Sequence, residues 1–145
     1  MEFEKIYIAS DHGGFHLKQQ ILEHFTEIVS EDFGTNNPET PVDYPDYAQK
    51  VSKSISEFQG NSCGILICKS GVGMSIASNK SRGIRALLCS GDTDIARFSR
   101  AHNDCNVICF GADFISYKQA MECLDIFLNT KFLGGRHQVR LDKLL

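Results

Sequence analysis

Short apolar runs alternate along the chain with longer stretches whose apolar residues recur every three or four positions, and the alternation repeats five times. The first run, Lys5 to Ser10, predicts a strand. The helix after it starts at about Phe15, with Leu17, Ile21 and Phe25 on one face. A second strand is expected over Glu27 to Phe33. The segment GTNNPETPVDYPD then carries all three prolines and is the one long connection, a kind of loop that often serves function. Helix two is expected from about Pro45, a favoured first-turn residue, with Ala48, Val51 and Ile55 turned inward. Ile65 to Ile67 form a continuous apolar run from Gly64, as in a strand buried on both faces, and a helix-compatible segment runs from Met74 to Lys80. Strand four is expected at Ile84 to Leu88, and the next helix opens at Asp92 or Thr93 and ends near Ala101. Strand five is expected at Asn106 to Phe110. Ser116 with Gln119 makes a capping box for a last helix that buries Ala120, Leu124, Phe127 and Leu128. Gly134 and Gly135 are expected to stop that helix, leaving Arg136 and Arg140 beyond it.

Strands that alternate with helices in this way imply a parallel sheet covered on both faces, because each crossover is right-handed and returns a helix onto the sheet. The expected fold is a single-domain, three-layer α/β/α Rossmann-like sandwich with a five-stranded parallel sheet, spanning residues 1–145. Composition agrees: 145 residues at 42% hydrophobic can bury a core. A net charge of −3 with both signs interspersed argues against a nucleic-acid surface. The apolar runs are too short for a membrane span, and the opening MEFEKIYIAS reads as a strand rather than a signal peptide, so a cytoplasmic protein is expected. Six cysteines, none in a C-x-x-C pair, read as reduced buried thiols.

Ligands of parallel sheets bind at the carboxyl ends of the strands. Polar chemistry collects there: Asp11, His12, Gly13 and Gly14 after strand one, Asp43 and Tyr44 after strand two, and Cys68 to Gly73 after strand three. Strand, glycine-rich turn and helix in that order set backbone N–H groups and a positive helix end beside the Cys68 thiol, which suits an anion and a thiolate together. A plain tight turn with a small buried cysteine accounts for the same residues equally well. Asp11 also reads as a helix cap. His12 and His16 have the i, i+4 spacing of a helical metal pair, but Gly13 and Gly14 between them argue against a formed helix, so no metal is expected.

The SDHGG turn, VDYPDYA, GILICKSGVGMSIASNK followed by GIRALL, SRAHNDCNVICFGA and FLGGRHQVR occur in this order from Lys5 to Arg140. Together they resemble ribose-5-phosphate isomerase type B, of the sugar-phosphate isomerase family that also holds allose- and galactose-6-phosphate isomerases. Two positions depart from the family pattern. Lys69 stands where glycine is most common, and Cys105 replaces a usual alanine.

The resemblance implies interconversion of ribose 5-phosphate and ribulose 5-phosphate through an enediolate, without a cofactor. It assigns His102 to opening the furanose, work that suits a histidine near neutral pH. Cys68 matches the base that removes the C2 proton. A free thiol with a pKa of about 8.5 is only slightly ionised at neutral pH, so the helix end and Lys69 are expected to assist it. Ser70 and the backbone N–H groups from Gly71 to Gly73 match an oxyanion hole. Arg136, Arg140 and His12 are expected on the phosphate, with Asp11, Tyr44 and Asn103 on hydroxyls and ring. Allose-6-phosphate isomerase, a non-catalytic sugar-phosphate binder and a cysteine hydrolase built on Cys68 and His102 are the competing readings.

Chain direction adds an expectation about assembly. His102 and Asn103 end the helix that opens at Asp92 or Thr93, and Arg136 and Arg140 follow the helix that Ser116 caps, so all four start from the edge of the sheet opposite Cys68. A five-residue strand separates the edges by roughly 16 Å, beyond the reach of a histidine. The consistent solution is a homodimer with the active site shared between subunits, alone or as a dimer of dimers.

Overall fold

The computed structural model describes residues 1–144. Strands β1 (Lys5–Ser10), β2 (Glu31–Asp32), β3 (Ser62–Cys68), β4 (Ala86–Cys89) and β5 (Val107–Gly111) form one parallel sheet in the order β2-β1-β3-β5-β4. The helices are α1 (Phe15–Phe25), α2 (Tyr44–Glu57), α3 (Val72–Asn79), α4 (Thr93–Ala101), α5 (Tyr117–Asn129) and α6 (Arg136–Leu141). Alternation along β3 divides the core. Cys63, Ile65 and Ile67 face a cluster with Leu17 and Ile21 of α1, Ala96 of α4 and Leu124 and Phe127 of α5. Leu66 and Cys68 face the other layer, with Ala48 and Val51 of α2 and Met74 of α3. This is the expected three-layer α/β/α arrangement. Right-handed crossovers require it: connections running toward β2 and those running toward β4 fall on opposite faces, and the change of direction opens a crevice between the ends of β1 and β3.

Three expectations need correction. Strand two was expected over seven positions but pairs only at Glu31 and Asp32, because Ile28 and Val29 donate back to the Phe25 carbonyl and prolong the end of α1 as turns. Strand four begins two residues late, at Ala86, since Ile84 donates to the Ser81 carbonyl in a turn. The two glycines do not stop α5. That helix ends at Asn129 with Thr130 already extended, and Gly135 (φ 56°, ψ −129°) is the N-cap of α6, a helix absent from the pattern reading. The Ser116–Gln119 capping box forms in both directions, as expected.

Short β2 is held by an ion pair. Lys18, from α1, has no exposed side-chain surface, and its Nζ lies 2.8 and 2.7 Å from the two Asp32 carboxylate oxygens. Asp32 Oδ1 also accepts the Gly34 N–H at 2.9 Å, fixing the start of the loop that leads to α2. No described helix is long and apolar enough to cross a membrane.

Candidate active site

Asp11 follows β1 and caps the single 3-10 turn His12–Gly14, its Oδ1 accepting the Gly14 N–H at 3.1 Å. It is buried, and burial raises its pKa above the usual carboxylate value, although the Gly14 N–H and the nearby His12 charge pull the other way. His12 accepts the Val42 N–H at Nδ1, 3.2 Å away. A neutral His12 therefore carries its proton at Nε2, and that nitrogen remains as its free donor.

Cys68 ends β3 and is 5% exposed. The chain turns sharply after it through Gly71 at φ 78°, a conformation that side chains rarely adopt, and the turn directs the Gly71 N–H to Cys68 Sγ at 3.2 Å. The N-terminus of α3 lies just beyond this contact. Ser70 Oγ accepts the Val72 N–H at 3.3 Å. The turn is clamped to the end of β5: Ala112 N–H reaches the Cys68 carbonyl at 2.8 Å, and Asp113 N–H reaches Lys69 at 3.0 Å. Gly111 makes that fit possible, since a Cβ there would stand 2.3 Å from the Ser70 carbonyl oxygen. Tyr44, the first residue of α2, lays its ring on Gly73, where a Cβ would meet it at 2.7 Å.

Lys69 departs from its expected role beside the thiol. Its stem crosses Gly13 and its ammonium lies 3.8 Å from Asp113, both side chains exposed, so the carboxylate offsets its charge. The polar group on the Cys68 sulfur is the Gly71 N–H instead.

His102 and Asn103 lie at the other edge. Arg85 Nε donates to the Asn103 carbonyl at 3.2 Å, and the Asn106 N–H donates to the Arg85 carbonyl, so the end of α4 sits where β4 and β5 begin. Leu133 N–H bonds the Ala101 carbonyl at 3.0 Å and brings the tail there too. In α6 the buried His137 stacks on His102, while Arg136 and Arg140 are exposed. Leu141, Ile84, Arg85 and Asn103 help line a cavity of about 580 Å³ at this edge. Thus Asp11, His12, Tyr44, Cys68, Ser70, Gly71 and Gly73 gather at the carboxyl edge, and His102, Asn103, Arg136 and Arg140 at the amino edge of the same chain. The five residues Val107 to Gly111 alone put roughly 16 Å between them. His137 escaped the pattern reading; the i, i+4 spacing of Arg136 and Arg140 was the available sign of its helix. Among the described residues no group of three or more His, Cys, Asp or Glu side chains could hold a metal, so the His12, His16 pair gains no third ligand.

Residues 6–144 match the Ribose/Galactose Isomerase family. Ribose-5-phosphate isomerase B of Escherichia coli strain K12 is 43% identical over 145 residues, covering 97% of this chain and 94% of that protein. The solved structure of Clostridium thermocellum ribose-5-phosphate isomerase B superposes with a TM-score of 0.90 at 41% identity, covering 96% of this chain and 93% of the other. That of Mycoplasma genitalium ribose-5-phosphate isomerase B, solved with bound ribulose-5-phosphate, gives a TM-score of 0.90 at 39% identity and covers 99% and 94%. With the match running almost end to end in both sequence and fold, the chain belongs to the ribose/galactose isomerase family.

Proposed function

We propose that this protein interconverts ribose 5-phosphate and ribulose 5-phosphate in the cytoplasm, as a step of pentose phosphate metabolism, with Cys68 as the base. The observation that carries the reading is the Cys68 thiol at the crevice between β1 and β3, with the Gly71 N–H on its sulfur. In the ring-opening step His102 gives a proton to the furanose ring oxygen as its bond to C1 breaks, and the anomeric hydroxyl loses its proton to water as the carbonyl forms. The Cys68 thiolate then takes the C2 proton, and the electron pair moves onto the carbonyl oxygen. Ser70 and the Gly73 N–H donate to that oxygen as its charge develops. Cys68 returning its proton to C1, while the C2 hydroxyl proton passes to the O1 oxyanion, completes the ketose. Gly71 serves the sulfur in this scheme. Arg136, Arg140 and His12 bind the phosphate, and Asp11, Tyr44 and Asn103 hold hydroxyls and ring.

A closed two-fold dimer builds the site, one chain supplying Asp11, His12, Tyr44, Cys68 and Ser70 and the other His102, Asn103 and the two arginines. Two features support this. The halves of the site lie about one strand length apart within one chain. Exposed Val72 and Ile76 on α3, Leu88 on the edge strand β4, and Ile95 and Phe98 on α4 leave apolar surface at one end of the sheet.

Cys68→Ala should abolish turnover and solvent exchange at C2 while sugar-phosphate binding persists, and near-normal turnover would exclude the thiol as base. Turnover of ribose 5-phosphate against allose 6-phosphate decides the preferred substrate length. Mixing inactive Cys68→Ala and His102→Ala subunits should restore roughly a quarter of wild-type activity, because half of the random pairs are heterodimers with one intact site each. Demonstrated subunit exchange without recovery would place both residues in one site of one chain.

A further inference from the structure

The plane of the His102 ring is set by two aromatic neighbours. Phe98, one turn earlier in α4, stacks on it at a centroid distance of 4.9 Å and an interplanar angle of 18°. His137, from α6, stacks at 4.3 Å and 11°. The second contact comes from a separate element and is the closer and more parallel of the two. His137 is itself 7% exposed, and its backbone N–H is held by the Gly134 carbonyl at 3.1 Å, so the platform is anchored in the tail.

We propose that His137 is a positioning residue for His102, holding the imidazole in the orientation from which it passes a proton to the ring oxygen of the substrate. This rests on the reading that His102 opens the furanose. General acid catalysis needs the donor nitrogen within hydrogen-bond reach of its target, and a displacement near 1 Å can cost about a hundredfold in rate. An imidazole on a C-cap residue turns freely about its Cα–Cβ and Cβ–Cγ bonds unless packing stops it. The parallel His137 face removes that freedom without taking a ring nitrogen of His102.

The charges around the pair suit this division of labour. Burial lowers the His137 pKa, and the neighbouring His102 on α4, with Arg136 and Arg140 on its own helix, lowers it further. Both effects favour the uncharged form of the His137 ring. A second imidazolium at stacking distance would oppose protonation of His102. The aromatic face, rather than proton transfer, is the function assigned to His137, so phenylalanine should replace it.

The test compares His137→Ala, His137→Phe and His102→Ala in the full chain, with ribose 5-phosphate turnover and exchange of the C1 proton of ribulose 5-phosphate in D2O as readouts. Ribulose 5-phosphate is open-chain, so its exchange reports enediolate formation without ring opening. His137→Ala should lower kcat for ribose 5-phosphate by about tenfold to a hundredfold, with KM and ketose exchange held within about threefold. His137→Phe should recover most of the lost kcat. His102→Ala should show the same pattern more severely. Unchanged kcat in His137→Ala beside a crippled His102→Ala would overturn the positioning role alone. So would a parallel fall in ketose exchange, or a loss confined to KM, which would assign His137 to the shape of α6 and its arginines. If His102→Ala keeps full ribose 5-phosphate turnover, the ring-opening assignment falls and the proposal falls with it.

Discussion

Replacing Lys18 by methionine keeps the aliphatic stem in the core but removes the ammonium from Asp32. The pair is bidentate at 2.8 and 2.7 Å, with Lys18 at 0% and Asp32 at 27% side-chain exposure. Breaking a buried pair from one side typically costs about 3–5 kcal/mol, because the remaining charge loses its partner. Asp32 reaches some water and keeps the Gly34 N–H, so the lower end, about 3 kcal/mol, is expected here. For a chain of this length that corresponds to a fall in Tm on the order of 10 °C. Urea unfolding at fixed protein concentration, followed by circular dichroism, measures it. The slope against urea should stay constant while the midpoint falls. Adding Asp32→Asn to Lys18→Met removes the stranded charge while leaving an oxygen for Gly34, and should return the loss to within about 1 kcal/mol of wild type. A single-variant cost below about 1 kcal/mol at unchanged slope would refute the reasoning. It would mean that the ammonium exchanges Asp32 for water at little expense. Activity should fall with Asp32→Ala as well, since Asp32 anchors the start of the loop whose Val42 N–H orients His12.

Alkylation by iodoacetamide near pH 8 should label Cys68 first and inactivate the protein, with substrate protecting. Burial pushes Cys105 up to about 11 and Cys123 up to about 12, and raises Cys63 and Cys109 as well, so mass spectrometry that finds one of these four labelled ahead of Cys68 would contradict the assignment. Gly111→Ala drives a Cβ into the backbone of Ser70, and a loss of about 1–3 kcal/mol with collapse of kcat is expected; wild-type kcat would mean that the Cys68 turn tolerates displacement. Asp11 has a folded-state pKa raised by burial, so its ionisation destabilises the fold as pH rises from the unfolded-state value through the folded one. Asp11→Asn should therefore raise Tm at pH 7 but not at about pH 3, where both states are protonated, while substrate binding weakens; equal shifts at both pH values would remove ionisation as the cause. Activity should survive exhaustive chelation, and a loss restored by zinc, manganese or magnesium would show that the His12, His16 pair had been misread.

Much of this architecture is local and therefore legible in the chain. Five apolar runs separated by 3.6-period segments determine a parallel, doubly covered sheet, because the hydrophobic faces have few other ways to be buried. The glycine-rich turn after Ile67 and the Ser116–Gln119 box depend on residues close in sequence, and both formed as read. The family was legible for the same reason, its motifs being short and ordered. Other features needed distant partners. The strand order, and with it the crevice between β1 and β3, depends on which edges meet, something no single strand records. Strand two shrank to two residues because turns at the end of α1 use its first N–H groups. Lys69 read as a cation beside a thiol until the end of β5 brought Asp113 within 3.8 Å. Helix α6 was hidden because six residues after two glycines carry too little periodicity to declare themselves. Only its packing against the end of α4 brings His137 onto His102 across 35 positions of sequence, since side-chain stacking is a property of positions in space, which tertiary folding alone assigns.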